Sequence, residues 1–94
     1  MNIEKIKSYI RFAKKSKSIV YGLDAIKERN VEIIIYSSAM SESSKISCVK
    51  VAEKNNCACY EVSEDVMIEL MENVKIKAFA IQNKDLAKAI LSNI

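Results

Sequence analysis

The sequence predicts an α/β fold: a single-domain three-layer α/β/α sandwich with a central four-stranded sheet. Three observations lead there. Segments with helical periodicity alternate with short β-branched or apolar runs along the whole chain, the pattern of a sheet covered by helices on both faces. The junctions between these segments are short, with no proline and one glycine, so nothing marks a linker or a domain boundary within 1–94. A length of 94 residues, half of them hydrophobic, suffices for one core and not for two.

Each element follows from local pattern. Ile3, Ile6, Ile10 and Ala13 recur at helical spacing and predict an amphipathic helix from about Ile3 to Ser16, with Lys7, Arg11, Lys14 and Lys15 as a second stripe on another face. A short extended segment, Ser18-Ile19-Val20, precedes Gly22, which opens a second helix through about Arg29. Val31 to Tyr36 is a β-branched run bounded by polar residues, as a buried central strand requires. Ser41 is placed to cap a third helix reaching Asn56 after the serine-rich junction Ser37 to Ser44. Ala58 to Val62 reads as a strand. Ser63 can cap a helix over Glu64 to Glu72, with Asp65 favourably placed against its positive end. Ile76 to Ile81 supplies the fourth strand, and Asn83 can cap a last helix ending near Ile94.

Composition narrows the class. The longest apolar runs, such as Ile33-Ile34-Ile35, fall far short of a membrane span. An early acid at Glu4 and the lack of an apolar run argue against a signal peptide. The expected location is therefore cytoplasmic, where three cysteines are free thiols. With no histidine anywhere, Ser–His and Cys–His nucleophile systems are excluded, and no catalytic set stands out. Cys48, Cys57 and Cys59 lack a paired CxxC spacing, so they read as small apolar fillers rather than metal ligands. No metal or cofactor is called for.

The net charge of +3 is unevenly spread. Through Lys17 there are six basic residues and one acid, leaving nine bases and eleven acids in the remainder. Between Glu61 and Glu72 there are five acids and no base. The basic helix stripe suits a phosphate-contacting face or a solvated one. The acids match no calcium-loop spacing. The four tyrosines are scattered in sequence and do not mark a base-stacking platform.

Several segments together carry a resemblance. Phe12-Ala13-Lys14-Lys15-Ser16 followed by Ile19-Val20-Tyr21-Gly22, then Ser38-Ala39-Met40-Ser41-Glu42-Ser43-Ser44, Ala52-Glu53-Lys54-Asn55-Asn56, and Ala80-Ile81-Gln82-Asn83-Lys84-Asp85-Leu86-Ala87-Lys88-Ala89-Ile90 occur in this order along nearly the whole chain. They resemble the L-seven-Ae and L-thirty-e type ribosomal proteins, especially the small bacterial YlxQ-like members. The resemblance implies an α/β/α sandwich without enzymatic activity that binds structured, kink-turn RNA, ribosomal RNA included. In those relatives the helix-opening glycine is followed by a polar or acidic pair and then a lysine. Here those positions hold Asp24, Ala25 and Glu28, with Lys27 one place away. Glu69-Leu70 matches a Glu-Leu that precedes a glycine in the relatives, where this chain has Met71.

The expected RNA contacts are Gly22, Asp24, Lys27, Ser38 and Ser41, with Lys14, Lys15 and Lys17 in electrostatic support. Gly22 offers close backbone approach and free N–H groups, or simply meets a turn requirement. The serines offer hydroxyls at the carboxyl end of a strand, or simply cap a helix. The competing expectation is a protein-interaction module that keeps the fold, with a partner on the 61–75 segment. An exposed Met71 and an acidic groove would favour it.

Overall fold

A computed structural model describes residues 1–94. In chain order it contains α1 (Ile3–Lys15), β1 (Ile19–Tyr21), α2 (Leu23–Lys27), β2 (Ile33–Ser37), α3 (Glu42–Asn55), β3 (Ala58–Val62), α4 (Glu64–Met71), β4 (Ala78–Ile81) and α5 (Lys84–Leu91). The four strands form one sheet in the order β1-β4-β2-β3, with β4 antiparallel to both neighbours and β2 parallel to β3. The predicted α/β sandwich with a four-stranded sheet is therefore the observed architecture.

The isoleucine run explains the layering. Successive side chains of a strand point to opposite faces. Ile33 and Ile35 pack with α1, α4 and α5 in one core that also holds Phe79 and Ile81. Ile34 and Tyr36 pack with α2 and α3 in a cluster on the sheet's other face, with Val20, Ala78 and Ala80, so the domain's apolar interior is divided by the sheet. Each fully buried Ile or Phe contributes roughly 1.5–3 kcal/mol, so β2 and β4 anchor both layers. Their interior positions in the sheet follow from having two apolar faces.

Local chemistry sets most helix ends. The side chains of Ser41, Ser63 and Asn83 accept the backbone N–H of Ser44, Val66 and Leu86, capping α3, α4 and α5 as expected. Helix α1 stops at Lys17, whose φ is 56°, with Lys17 N–H to Lys14 and Ser18 N–H to Ala13, a Schellman pattern. Asn56, also left-handed, closes α3 the same way through Asn56 N–H to Glu53 and Cys57 N–H to Ala52.

Other boundaries differ from the sequence pattern. Helix α2 ends at Lys27 rather than Arg29, because the N–H groups of Glu28 and Arg29 bond three residues back and tighten the last turn. Val31 lies ahead of β2, its N–H held by the Asn55 side chain at 3.1 Å. Ile76 sits in the turn before β4, with its N–H directed to Asn73. Met71 is 4% exposed and belongs to the core, so the exposed Met71 that a docking groove needed is absent. The reason is helical phase: Met67, Leu70 and Met71 share the face of α4 turned to the sheet. Val74, just beyond the helix, is exposed instead.

Candidate nucleic-acid interface

Four of the eight expected contact residues, Gly22, Asp24, Ser38 and Ser41, lie at one end of the sheet. Gly22 N–H donates to Ala78, Ser37 N–H to Lys77 and Ser38 N–H to Val62. These bonds place the carboxyl ends of β1, β2 and β3 beside the amino end of β4. The starts of α2, α3 and α4 lie at the same end, at Gly22, Ser41 and Ser63. Gly22, Ser38 and Ser41 therefore share one end of the sheet, with β4 between the strands that carry Gly22 and Ser38. Asp24 is exposed in the first turn of α2, and Lys27 lies one turn further along that helix.

Gly22 has φ 83° and ψ 148°, a conformation nearly restricted to glycine. A Cβ there would meet nothing within 4 Å, so the requirement comes from the backbone and not from crowding. Because glycine brings no capping side chain, the N–H groups of Leu23, Asp24 and Ala25 have no acceptor within the chain. They are open donors at a positive helix end.

The serines are mostly committed to the fold. Ser37 is fully buried, and its hydroxyl accepts the Ala39 N–H at 3.0 Å, which fixes the turn that exposes Ser38. Ser41 Oγ accepts Ser44 N–H at 3.2 Å and lies 3.2 Å from Ser43 Oγ and 3.0 Å from Ser44 Oγ. Capping is thus the primary role of Ser41, whereas Ser38 is exposed.

Charge at this end is dominated by carboxylates. Asp24, Glu42, Glu64 and Asp65 occupy first turns of their helices, where an acid contributes about 0.3–1 kcal/mol against the helix dipole. Two nearby cations, Lys45 and Lys77, are paired within the chain. Lys45 contacts Glu61 at 2.8 Å and Glu42 at 3.5 Å, and the hydrogen bond with Glu61 holds its ammonium above the ordinary lysine range. Lys77 contacts Glu64 at 3.2 Å. The Lys45–Glu61 and Lys77–Glu64 pairs join residues far apart in sequence, and no local pattern announces them.

Lys14, Lys15 and Lys17 do not join this cluster. They lie beyond the other end of β1, where the Gln82 N–H donates to the Ser18 carbonyl at 2.7 Å. About 10 Å of extended strand separates that end from Gly22. The lysines expected to give electrostatic support therefore stand at the opposite end of β1 from Gly22. Part of their charge serves the carboxyl end of α1, where cations are favourable. Lys17 also provides the left-handed stop.

The cysteines are free. Cys48 is buried in the core beside α2, and Cys57 and Cys59 are half-buried. Burial raises all three thiols above their ordinary range, and Cys59, which also feels Cys48 and Cys57, is pushed up to about 12. Such thiols are poor nucleophiles near neutral pH. No group of three His, Cys, Asp or Glu side chains is arranged to hold a metal ion. No helix is long and apolar enough to cross a membrane.

The architecture has a solved counterpart. The chain is similar to a structure described as a protein with unknown function from Bacillus halodurans C, with a TM-score of 0.74 at 12% identity, covering 94% of each chain. At that identity the likeness shows the fold alone. No family model and no curated protein matches the chain.

Proposed function

We propose that this chain is a small RNA-binding protein of the ribosomal type that docks structured, kink-turn-like RNA against the sheet end carrying Gly22, Ser38 and Ser41. One observation carries the reading: residues that the L-seven-Ae resemblance singles out converge at one sheet end, beside three open N–H groups at the start of α2. Backbone donors of this kind fix a phosphate without reading sequence, which suits recognition of RNA shape. Lys27 supplies the one unpaired cation on α2, and its side chain positions phosphate rather than base. The role is non-catalytic. With ribosomal RNA as partner the protein works in the cytoplasm, where its thiols stay reduced.

The test is a fluorescence-anisotropy titration of a kink-turn RNA against a fully paired duplex of the same composition. We expect tighter binding to the kinked RNA, and a further gain with Glu28→Lys, which puts a cation on the exposed last turn of α2. Absence of preference in the natural protein together with no gain in Glu28→Lys would refute the proposal.

A second reading has its own support. The carboxylates of Asp24, Asp65 and the Glu42–Lys45–Glu61 and Glu64–Lys77 groups make this sheet end acidic, as a protein-interaction module with a basic partner requires. In that case Glu64→Gln with Asp65→Asn weakens the complex, whereas removing these charges strengthens RNA binding if RNA docks here.

A further inference from the structure

The solvent face of α1 carries a feature that the kinked-RNA reading does not use. Phe12 is 57% exposed, on the side of the helix opposite Ile6, Ile10 and Ala13. A single exposed aromatic is ordinary; its surroundings here are not. Ser8, Arg11 and Lys15 stand one turn or less away and form with the ring a shallow concavity of about 150 Å³. Arg11, Lys14, Lys15 and Lys17 have no carboxylate within ion-pair distance, although Lys7 on the same helix reaches Glu72 at 3.6 Å. The helix's own acid, Glu4, sits in its first turn, at the far end from these cations.

We propose that this face of α1 is a second binding site, for single-stranded nucleic acid, in which Phe12 stacks on an unpaired base while Arg11, Lys14, Lys15 and Lys17 neutralise flanking phosphates. Unpaired cations around an exposed ring complement a ligand that carries both negative charge and π-faces. A duplex keeps its bases stacked inside and offers the ring nothing. A lipid surface offers no partner for the ring's position either, because the apolar face of α1 is spent in the core and a helix lying in a membrane interface needs that face free. The site goes beyond the kinked-RNA reading and stands apart from it, since it occupies the other end of the sheet and requires neither Gly22 nor Ser38.

The experiment is an anisotropy titration of a labelled, unstructured RNA of about 12 nucleotides, set beside the same strand in a duplex, heparin, and vesicles of mixed phosphatidylcholine and phosphatidylserine. We expect the single strand to bind more tightly than the duplex. Phe12→Ala should weaken it roughly tenfold, the loss of one stacked base, and Phe12→Tyr should restore it. An unchanged melting temperature in Phe12→Ala separates this loss from unfolding. Lys14→Gln with Lys15→Gln should flatten the log–log salt slope by about 0.7 per lost phosphate. Single-strand affinity unaffected by Phe12→Ala, competition by heparin at equal strength, or Phe12-dependent capture by vesicles in place of RNA would each overturn the site. Ser38→Ala should leave single-strand binding unchanged. Failure of kinked-RNA preference with single-strand binding intact removes the earlier proposal and leaves this one standing, and the converse outcome removes this one alone.

Discussion

Replacing Gly22 with alanine tests the turn on which the candidate interface is built. The new methyl group meets no atom within 4 Å, so sterics with neighbours contribute nothing. The cost lies in the backbone: φ 83° with ψ 148° is outside the left-handed well that other residues visit, and holding an L-residue there costs about 1–3 kcal/mol. For a domain of this size each kcal/mol shifts the melting temperature by about 4–8 °C. Urea denaturation and thermal unfolding followed by circular dichroism should therefore show a loss of at least about 1 kcal/mol and a fall of several degrees. Asparagine sharpens the experiment. It tolerates left-handed φ near ψ of about 45° but not ψ near about 150°, so Gly22→Asn should be no better than Gly22→Ala. A loss below about 0.5 kcal/mol in Gly22→Ala, or rescue by asparagine, would show that the turn relaxes into an ordinary conformation. The open N–H groups at the start of α2 would then not be fixed by glycine, and RNA docking at that sheet end would lose its basis.

Two further outcomes are expected. Glu72 ends α4 with φ 56° and ψ 32°, so Glu72→Gly should raise stability by roughly 0.5–1 kcal/mol in urea titrations. The same substitution removes the Lys7–Glu72 ion pair, which is exposed on the carboxylate side and worth little, and a net loss of stability would contradict this ranking of strain over ion pairing. Burial, with the neighbouring Cys48 and Cys57, keeps the Cys59 thiol protonated up to about 12, whereas the unfolded chain releases that proton in the ordinary thiol range. The folded state thus holds the extra proton, and stability should fall as pH rises from about 9 toward about 12. Urea midpoints of Cys59→Val should decline less steeply over that window, and parallel profiles for the two proteins would rule the linkage out.

What the sequence determined by itself is the set of elements. Capping by Ser41, Ser63 and Asn83, the helical spacing of Ile3, Ile6, Ile10 and Ala13, and the Ile33–Ile35 run act over a few residues, so they are legible without a partner segment. The same periodicity carried the signal for Phe12, since a residue out of phase with Ile6, Ile10 and Ala13 must face solvent. Two readings needed more. Met71 looked available until the phase of α4 against the sheet put it in the core. Lys14, Lys15 and Lys17 are expected from sequence to give electrostatic support, and only the course of β1 shows that they stand beyond its opposite end from Gly22. The grouping of Gly22, Ser38 and Ser41, and the neutralisation of Lys45 and Lys77 by Glu61 and Glu64, were likewise decided only by the tertiary structure. Strand order and direction come from which apolar faces pair across the sheet, a property of segments far apart in the chain. That pairing assigns every loop to one end or the other, and with it the charge each end presents.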